Sequence, residues 1–96
     1  MITPEILKEF KERMHISHSI EDDSLTRLLA ASYADIKEKC GAFVIFDHLR
    51  GKELVFERSR YVYNDALEYF DGNFQSQLTS LGFELMPEEV PPDATV

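Results

Sequence analysis

Apolar residues recur at helical spacing along most of this chain. Ile6, Leu7, Phe10 and Met14 fall within one arc of roughly 100°, with Lys8, Glu9, Glu12 and Arg13 flanking or opposite, which predicts an amphipathic first helix. Thr3 and Pro4 stand where its N-cap and first helical residue belong. A threonine hydroxyl can accept one of the orphan amides there, and proline lacks the amide that would go unused. The helix is expected to end near His15, with Ser17 to Ile20 as a linker. Glu21, Asp22 and Asp23 then open a second helix, their charges complementing the positive end of its dipole. Its stripe of Leu25, Leu28, Leu29, Ser32, Tyr33, Ile36 and Cys40 spans roughly 140°. Ala30, Ala31 and Ala34 line the back, and Gly41 is expected to stop the helix in the left-handed conformation.

Beyond Gly41 the pattern changes. Ala42 to Phe46 is β-branched and aromatic without clean alternation, so an extended segment or short strand is expected around 42–48. An uncharged run of this kind is an aggregation hazard when exposed, so it is expected to be buried. A third helix is predicted from about Gly51 to Phe70. Its apolar arc of about 160° holds Val55, Phe56, Ser59, Val62, Tyr63, Ala66, Leu67, Tyr69 and Phe70. Glu57, Arg58, Arg60, Asn64, Asp65 and Glu68 fill the rest, with Leu54 and Tyr61 among them. An arc that wide implies contact on a second side, with either more of its own chain or another subunit. Asp71 and Gly72 are expected to break this helix. Asn73 would cap a short fourth helix carrying Phe74, Leu78 and Leu81, stopped by Gly82 and followed by an extended piece at Phe83 to Leu85. The expected fold class is mainly α: a small bundle of three main helices plus a short fourth, occupying residues 1–86. Residues 87–96 form a tail with prolines 87, 91 and 92 and acids 88, 89 and 93. Such a composition cannot offset its own ordering entropy, so the tail is expected to be mobile until assembly.

Charge adds an asymmetry. The chain has 96 residues and a formal net charge of −8, and Arg60 is its last positive residue. Seven acids and no Lys or Arg follow it, while residues 1–60 carry eleven acids against ten basic residues. A surface of one sign repels phosphate and selects which partners can approach. The length suits one domain, and the single Cys40 excludes an intrachain disulfide and a CxxC motif. No run approaches the ~18 apolar residues of a membrane span, and the N-terminus lacks the basic-then-apolar order of a secretion signal. Neither is therefore expected. The four glycines, at 41, 51, 72 and 82, read as punctuation at element ends rather than as a phosphate-binding loop.

Candidate chemistry is sparse. His15 and His18 could hold a metal only with a third ligand that the sequence does not supply, and they read as solvated loop histidines. Cys40 and His48 could suggest nucleophilic catalysis, but Cys40 belongs to the apolar stripe of the second helix, where a thiol acts as a small hydrophobe. Arg50, Lys52, Arg58 and Arg60 form the one basic cluster, with Phe56 and Tyr61 among them. Glu53 and Glu57 dilute it, and the acidic balance opposes nucleic-acid binding. Ion pairing between this cluster and acids of a neighbouring copy, or a plain solvated face, are the competing readings.

Three segments together resemble the head–tail connector (adaptor) proteins of tailed double-stranded DNA bacteriophages, often described as DNA-packaging or head-completion proteins. They are the N-terminal Thr3-Pro4-Glu5…Leu7-Lys8…Phe10-Lys11 helix, the acidic start and long helix from Glu21 to Gly41, and Glu57 to Phe70 before Asn73-Phe74. The resemblance covers residues 3 to about 86 and rests on order and spacing, not on a catalytic signature. It implies a helical structural subunit that forms a ring, a dodecamer in the family, beneath the portal protein. Such a subunit extends the DNA channel and offers a docking surface to a stopper or tail-completion protein. It implies no enzymatic activity and no cofactor, a place in the virion neck after residence in the host cytoplasm, and DNA passing nearby without specific binding. On this reading Phe56, Arg58, Arg60, Tyr63, Leu67 and Phe70 are candidate subunit-interface residues. Asp65, Glu68, Asp71 and Glu84 are candidate channel-facing acids. The alternative is a small acidic helical module that binds protein as a monomer or dimer; a small enzyme using His15 or His18 is more remote.

Overall fold

The computed structural model describes residues 2–86; the expected tail, 87–96, lies outside them. Five α-helices follow in order: α1 (Pro4–Met14), α2 (Asp22–Cys40), α3 (Leu49–Tyr63), α4 (Phe70–Asn73) and α5 (Gln75–Glu84). A 3₁₀ turn at Leu67–Tyr69 precedes α4, and no strand occurs among the described residues.

The first half follows its sequence pattern. Oγ1 of Thr3 accepts the N–H of Ile6 at 3.2 Å, with Pro4 in the first turn as expected. His15 closes α1 in the left-handed conformation at φ 61°. Its N–H donates to the Glu12 carbonyl and that of Ile16 to the Lys11 carbonyl, the paired closure of a Schellman motif. Histidine visits this conformation more often than most residues, which accounts for His15 without a ligand role. On α2, Leu25, Leu29, Ser32, Tyr33 and Ile36 are buried along the expected stripe, and α2 packs against α1, α3 and α5.

Gly41 does not adopt the expected left-handed stop. Its φ of 122° and ψ of 166° lie in an extended region that only glycine reaches easily. A Cβ there would also come 3.2 Å from Cβ of Leu85, so the end of α5 closes onto bare backbone.

Segment 42–48 is coil and turn, not strand, and only two of its seven residues are buried. Phe43 and Ile45 point inward, whereas Val44 and Phe46 are 52% and 54% exposed. The Tyr33 hydroxyl donates to the Phe43 carbonyl and fixes the inward turn. The Phe43 ring lies directly on Gly51, where an added Cβ would overlap it. Gly51 is thus not end punctuation; it sits inside the first turn of α3 and makes a seat for an aromatic ring.

Helix α3 ends at Tyr63, seven residues before the expected Phe70. Asp65 takes the left-handed conformation at φ 58°. The Asp65 N–H donates to the Val62 carbonyl at 3.0 Å and the Ala66 N–H to that of Tyr61 at 2.8 Å, the same closure that ends α1. Apolar residues continue at helical spacing past this turn, which is why the pattern overran it. Leu54, placed on the polar arc from sequence, is 2% exposed and belongs to the core. Asp71 and Gly72 lie within α4, and Gly82 lies within α5, so Phe83 is helical rather than extended. Asn73 caps nothing; its Nδ2 donates to the Tyr61 hydroxyl at 3.0 Å.

The core joins Ile6 and Phe10 of α1 to Leu25, Leu29 and Ile36 of α2 and to Leu54, Val55 and Phe56 of α3, with Phe70 and Leu81 closing it. Phe10 meets Phe56 with ring centroids 5.6 Å apart, and Phe70 stacks on Phe74 at 5.0 Å.

Candidate interaction surfaces

The basic cluster does not present a cationic face. Arg50 Nε lies 2.8 Å from Glu84 Oε2, Lys52 Nζ 2.9 Å from Glu9 Oε2, Arg58 Nε 3.0 Å from Asp35 Oδ2 and Arg60 Nη2 2.7 Å from Glu57 Oε1. Each cation therefore meets an acid of its own chain. Arg58 also donates through Nη1 to Ser32 Oγ at 3.0 Å, and its side chain is only 16% exposed. Its contact with Asp35 is electrostatic and lies off the hydrogen-bond line. The hydrogen bonds Arg60 donates to Glu57 hold its pKa above the usual arginine range, and the one Arg13 donates to Glu53 does the same for Arg13. These pairs tie α3 to α1, α2 and α5, and they leave the cluster little charge for phosphate.

Of the candidate interface residues, Phe56 and Phe70 are 2% and 0% exposed in the chain's own core, so neither has surface to offer a neighbour. Arg58 and Arg60 are paired internally. Tyr63, the last residue of α3, and Leu67, in the 3₁₀ turn beyond it, are partly exposed, at 38% and 40%. Glu68 and Asn64 are exposed as their place on the wheel suggests, whereas Glu57 is half-buried between Arg13 and Arg60.

The candidate channel acids divide in two. Asp71 Oδ1 lies 2.7 Å from Lys39 Nζ, and Glu84 receives Arg50 and faces His48 at 3.4 Å, so both are neutralised within the chain. Asp65 and Glu68 are exposed on the turn after α3. They alternate in sequence with the exposed Tyr63, Leu67 and Tyr69, so residues assigned from sequence to two different faces lie on one short exposed stretch. The Tyr63 hydroxyl donates to Glu21 Oε1 at 2.9 Å and joins this turn to the start of α2; that bond raises the Tyr63 pKa. Ile20, next to Glu21, is 88% exposed.

A second exposed apolar group lies at the opposite end of α3. Leu49 is 73% exposed and follows Val44 and Phe46. The Arg50–Glu84 pair holds the end of α5 to this turn, and there Phe83 and Met86 are 70% and 61% exposed. Sequence reading missed this group because it assumed that an uncharged run would be covered. A surface cleft of about 480 Å³ lies between α1 and the start of α2, with Pro4, Leu7 and Ile16 as its apolar part and Lys8 at its margin. The Lys11–Asp22 pair, at 2.6 Å, spans it.

The catalytic candidates are not brought together. The Cys40 thiol points at the Leu78 carbonyl at 3.4 Å, and burial pushes its pKa up, away from the thiolate a nucleophile needs. Nδ1 of His48 is taken up by the Gly51 amide. No group of three or more metal-binding side chains occurs among the described residues, and no helix there is long and apolar enough to cross a membrane. No protein-family model, characterised protein or solved structure matches this chain.

Proposed function

We propose that this chain is a structural adaptor subunit of the phage or prophage head–tail connector type, joining a portal protein to a stopper or tail-completion protein around a DNA channel. The observation that carries the reading is the pair of exposed apolar groups at opposite ends of α3: Val44, Phe46, Leu49, Phe83 and Met86 at one, Ile20, Tyr63, Leu67 and Tyr69 at the other. A ring is closed by heterologous contacts, which need two different patches on every subunit. The sequence resemblance over residues 3 to about 86 supports the same reading. The internal pairing of Arg50, Lys52, Arg58 and Arg60 fits a wall that DNA slides past, since cations facing the bore would bind phosphate and slow it. The DNA-repelling role falls to Asp65 and Glu68, because Asp71 and Glu84 are neutralised.

Native mass spectrometry of the full chain with and without its cognate portal protein tests the proposal. A portal-dependent ring is the expected result; a dimer indifferent to portal would replace it with the second reading, a small protein-binding module. The α1/α2 cleft is the one feature that favours this alternative. A low-salt duplex-binding assay on the assembled ring is expected to show weak binding, and tight binding that falls steeply with salt would overturn the channel role.

A further inference from the structure

His48 is held by two partners that favour different protonation states: an amide donor that needs a bare nitrogen and a carboxylate that gains from a cation. Its Nδ1 accepts the N–H of Gly51 at 3.1 Å, so that nitrogen carries a lone pair and the proton of the neutral ring sits on Nε2. Nε2 in turn lies 3.4 Å from Oε1 of Glu84 on α5. The Gly51 amide is one of the orphan donors of the first turn of α3, and Gly51 is itself buried, so water is a poor substitute for the histidine.

We propose that His48 is a proton-operated latch: neutral, it caps α3; protonated, it releases the cap and grips Glu84 of α5. Adding a proton to Nδ1 sets one N–H donor against another across 3.1 Å. It also places a cation at the positive end of the α3 dipole. Both effects drive the ring away from Gly51. On the other side an imidazolium strengthens the contact with Glu84, whose second oxygen is held by Arg50. Three neighbours therefore decide the outcome: the Gly51 amide and the Arg50 guanidinium from α3, which oppose the charge, and Glu84 from α5, which favours it. The remaining neighbour is the uncharged Phe43 ring, its centroid 5.7 Å from that of the imidazole.

Histidine is the side chain whose ordinary charge change falls between pH ~5 and ~8, which sets the range to search. The latch's effect reaches the surface through Phe43, since a ring leaving Gly51 loosens the segment that exposes Val44 and Phe46. The inference rests on the geometry around His48 and does not require the adaptor reading.

The test is NMR on the full-length, isotope-labelled chain from pH ~8 to pH ~5. The ring nitrogens of His48 and the exchange of the Gly51 amide, corrected for intrinsic rates, are followed together. At high pH the ring is expected as the Nε2–H tautomer with the Gly51 amide protected. As the imidazolium forms, that protection is expected to fall about tenfold, matching the penalty for a buried donor that loses its partner. His48→Asn keeps an oxygen acceptor for the cap and cannot take up the proton, so its Gly51 protection is expected to be equal at both ends of the range. A neutral ring found as the Nδ1–H tautomer, protection unchanged through the titration, or the same loss in His48→Asn would each overturn the proposal.

Discussion

The two ends of α3 are built by different means. At its N-terminal end side chains do the fixing: His48 caps the Gly51 amide, Phe43 rests on Gly51, and Arg50 fastens Glu84 of α5. At its C-terminal end the backbone does it, through the left-handed Asp65 and two hydrogen bonds back into the last turn. Side chains around that turn, Tyr63 before it and Leu67 after it, are left partly free until Phe70 returns to the core. A helix end held by specific contacts is sensitive to single substitutions there. One held by its own turn passes that sensitivity to the first residue that packs again.

The largest effect tests this contrast directly. Phe70 and Leu67 lie on one arc if α3 is extended, yet Phe70 is 0% exposed and Leu67 40%. Phe70→Ala is expected to cost about 3–5 kcal/mol, the usual range for a buried phenylalanine, while Leu67→Ala costs less than about 1 kcal/mol. Urea unfolding of both variants measures the difference. Equal losses would mean that the helix runs on past Tyr63.

At the other end, Gly51→Ala places a methyl group inside the ring of Phe43. Helix propensity alone predicts a small gain from this change at a helical position. Overpacking is expected to win, with a net loss of about 1–3 kcal/mol. The companion Phe43→Leu should recover part of that loss in Gly51→Ala by vacating the seat, and a double-mutant cycle on the two positions reports the coupling. Additivity within about 0.5 kcal/mol would show that ring and glycine do not touch.

A smaller effect is expected for Glu84→Gln. The Arg50–Glu84 pair is roughly two-fifths exposed on both sides, so screening leaves it no more than about 1 kcal/mol. Raising the salt concentration should shrink the difference between wild type and Glu84→Gln.

The same contrast sorts what could be read from the sequence. Helices α1 and α2 were legible because periodic apolar stripes coincide with local stop signals: Thr3-Pro4 at the start of α1, and acids at the start and Gly41 at the end of α2. Helix α3 was legible in its existence and not in its length. Its stop is an aspartate in the left-handed conformation rather than a glycine, with apolar positions continuing beyond it at helical spacing. Segment 42–48 defeated the pattern because its folding depends on contacts distant in sequence, from Tyr33 to the Phe43 carbonyl and from Phe43 to Gly51. The candidate surfaces suffered most. The expected helix overran α3 by seven residues and took Leu67 with it, and the ion pairs that absorb Arg50, Lys52 and Arg58 join elements whose docking no wheel contains.

A last pair of changes isolates the backbone turn itself, and here the sign matters more than the size. Asp65 sits at φ 58°, where L-residues meet a steric cost that glycine escapes and that aspartate bears better than most. Asp65→Gly removes that cost and adds chain entropy to the unfolded state, so the two terms oppose each other. A net gain of no more than about 1 kcal/mol is expected. Asp65→Val, β-branched and poorly suited to positive φ, is expected to lose about 1–2 kcal/mol at the same site. Asp65 is exposed, so neither change removes core packing, and the sign difference between them reports conformation alone. If valine proved as stable as glycine, residue 65 would not be left-handed, and α3 would have no reason to end where it does.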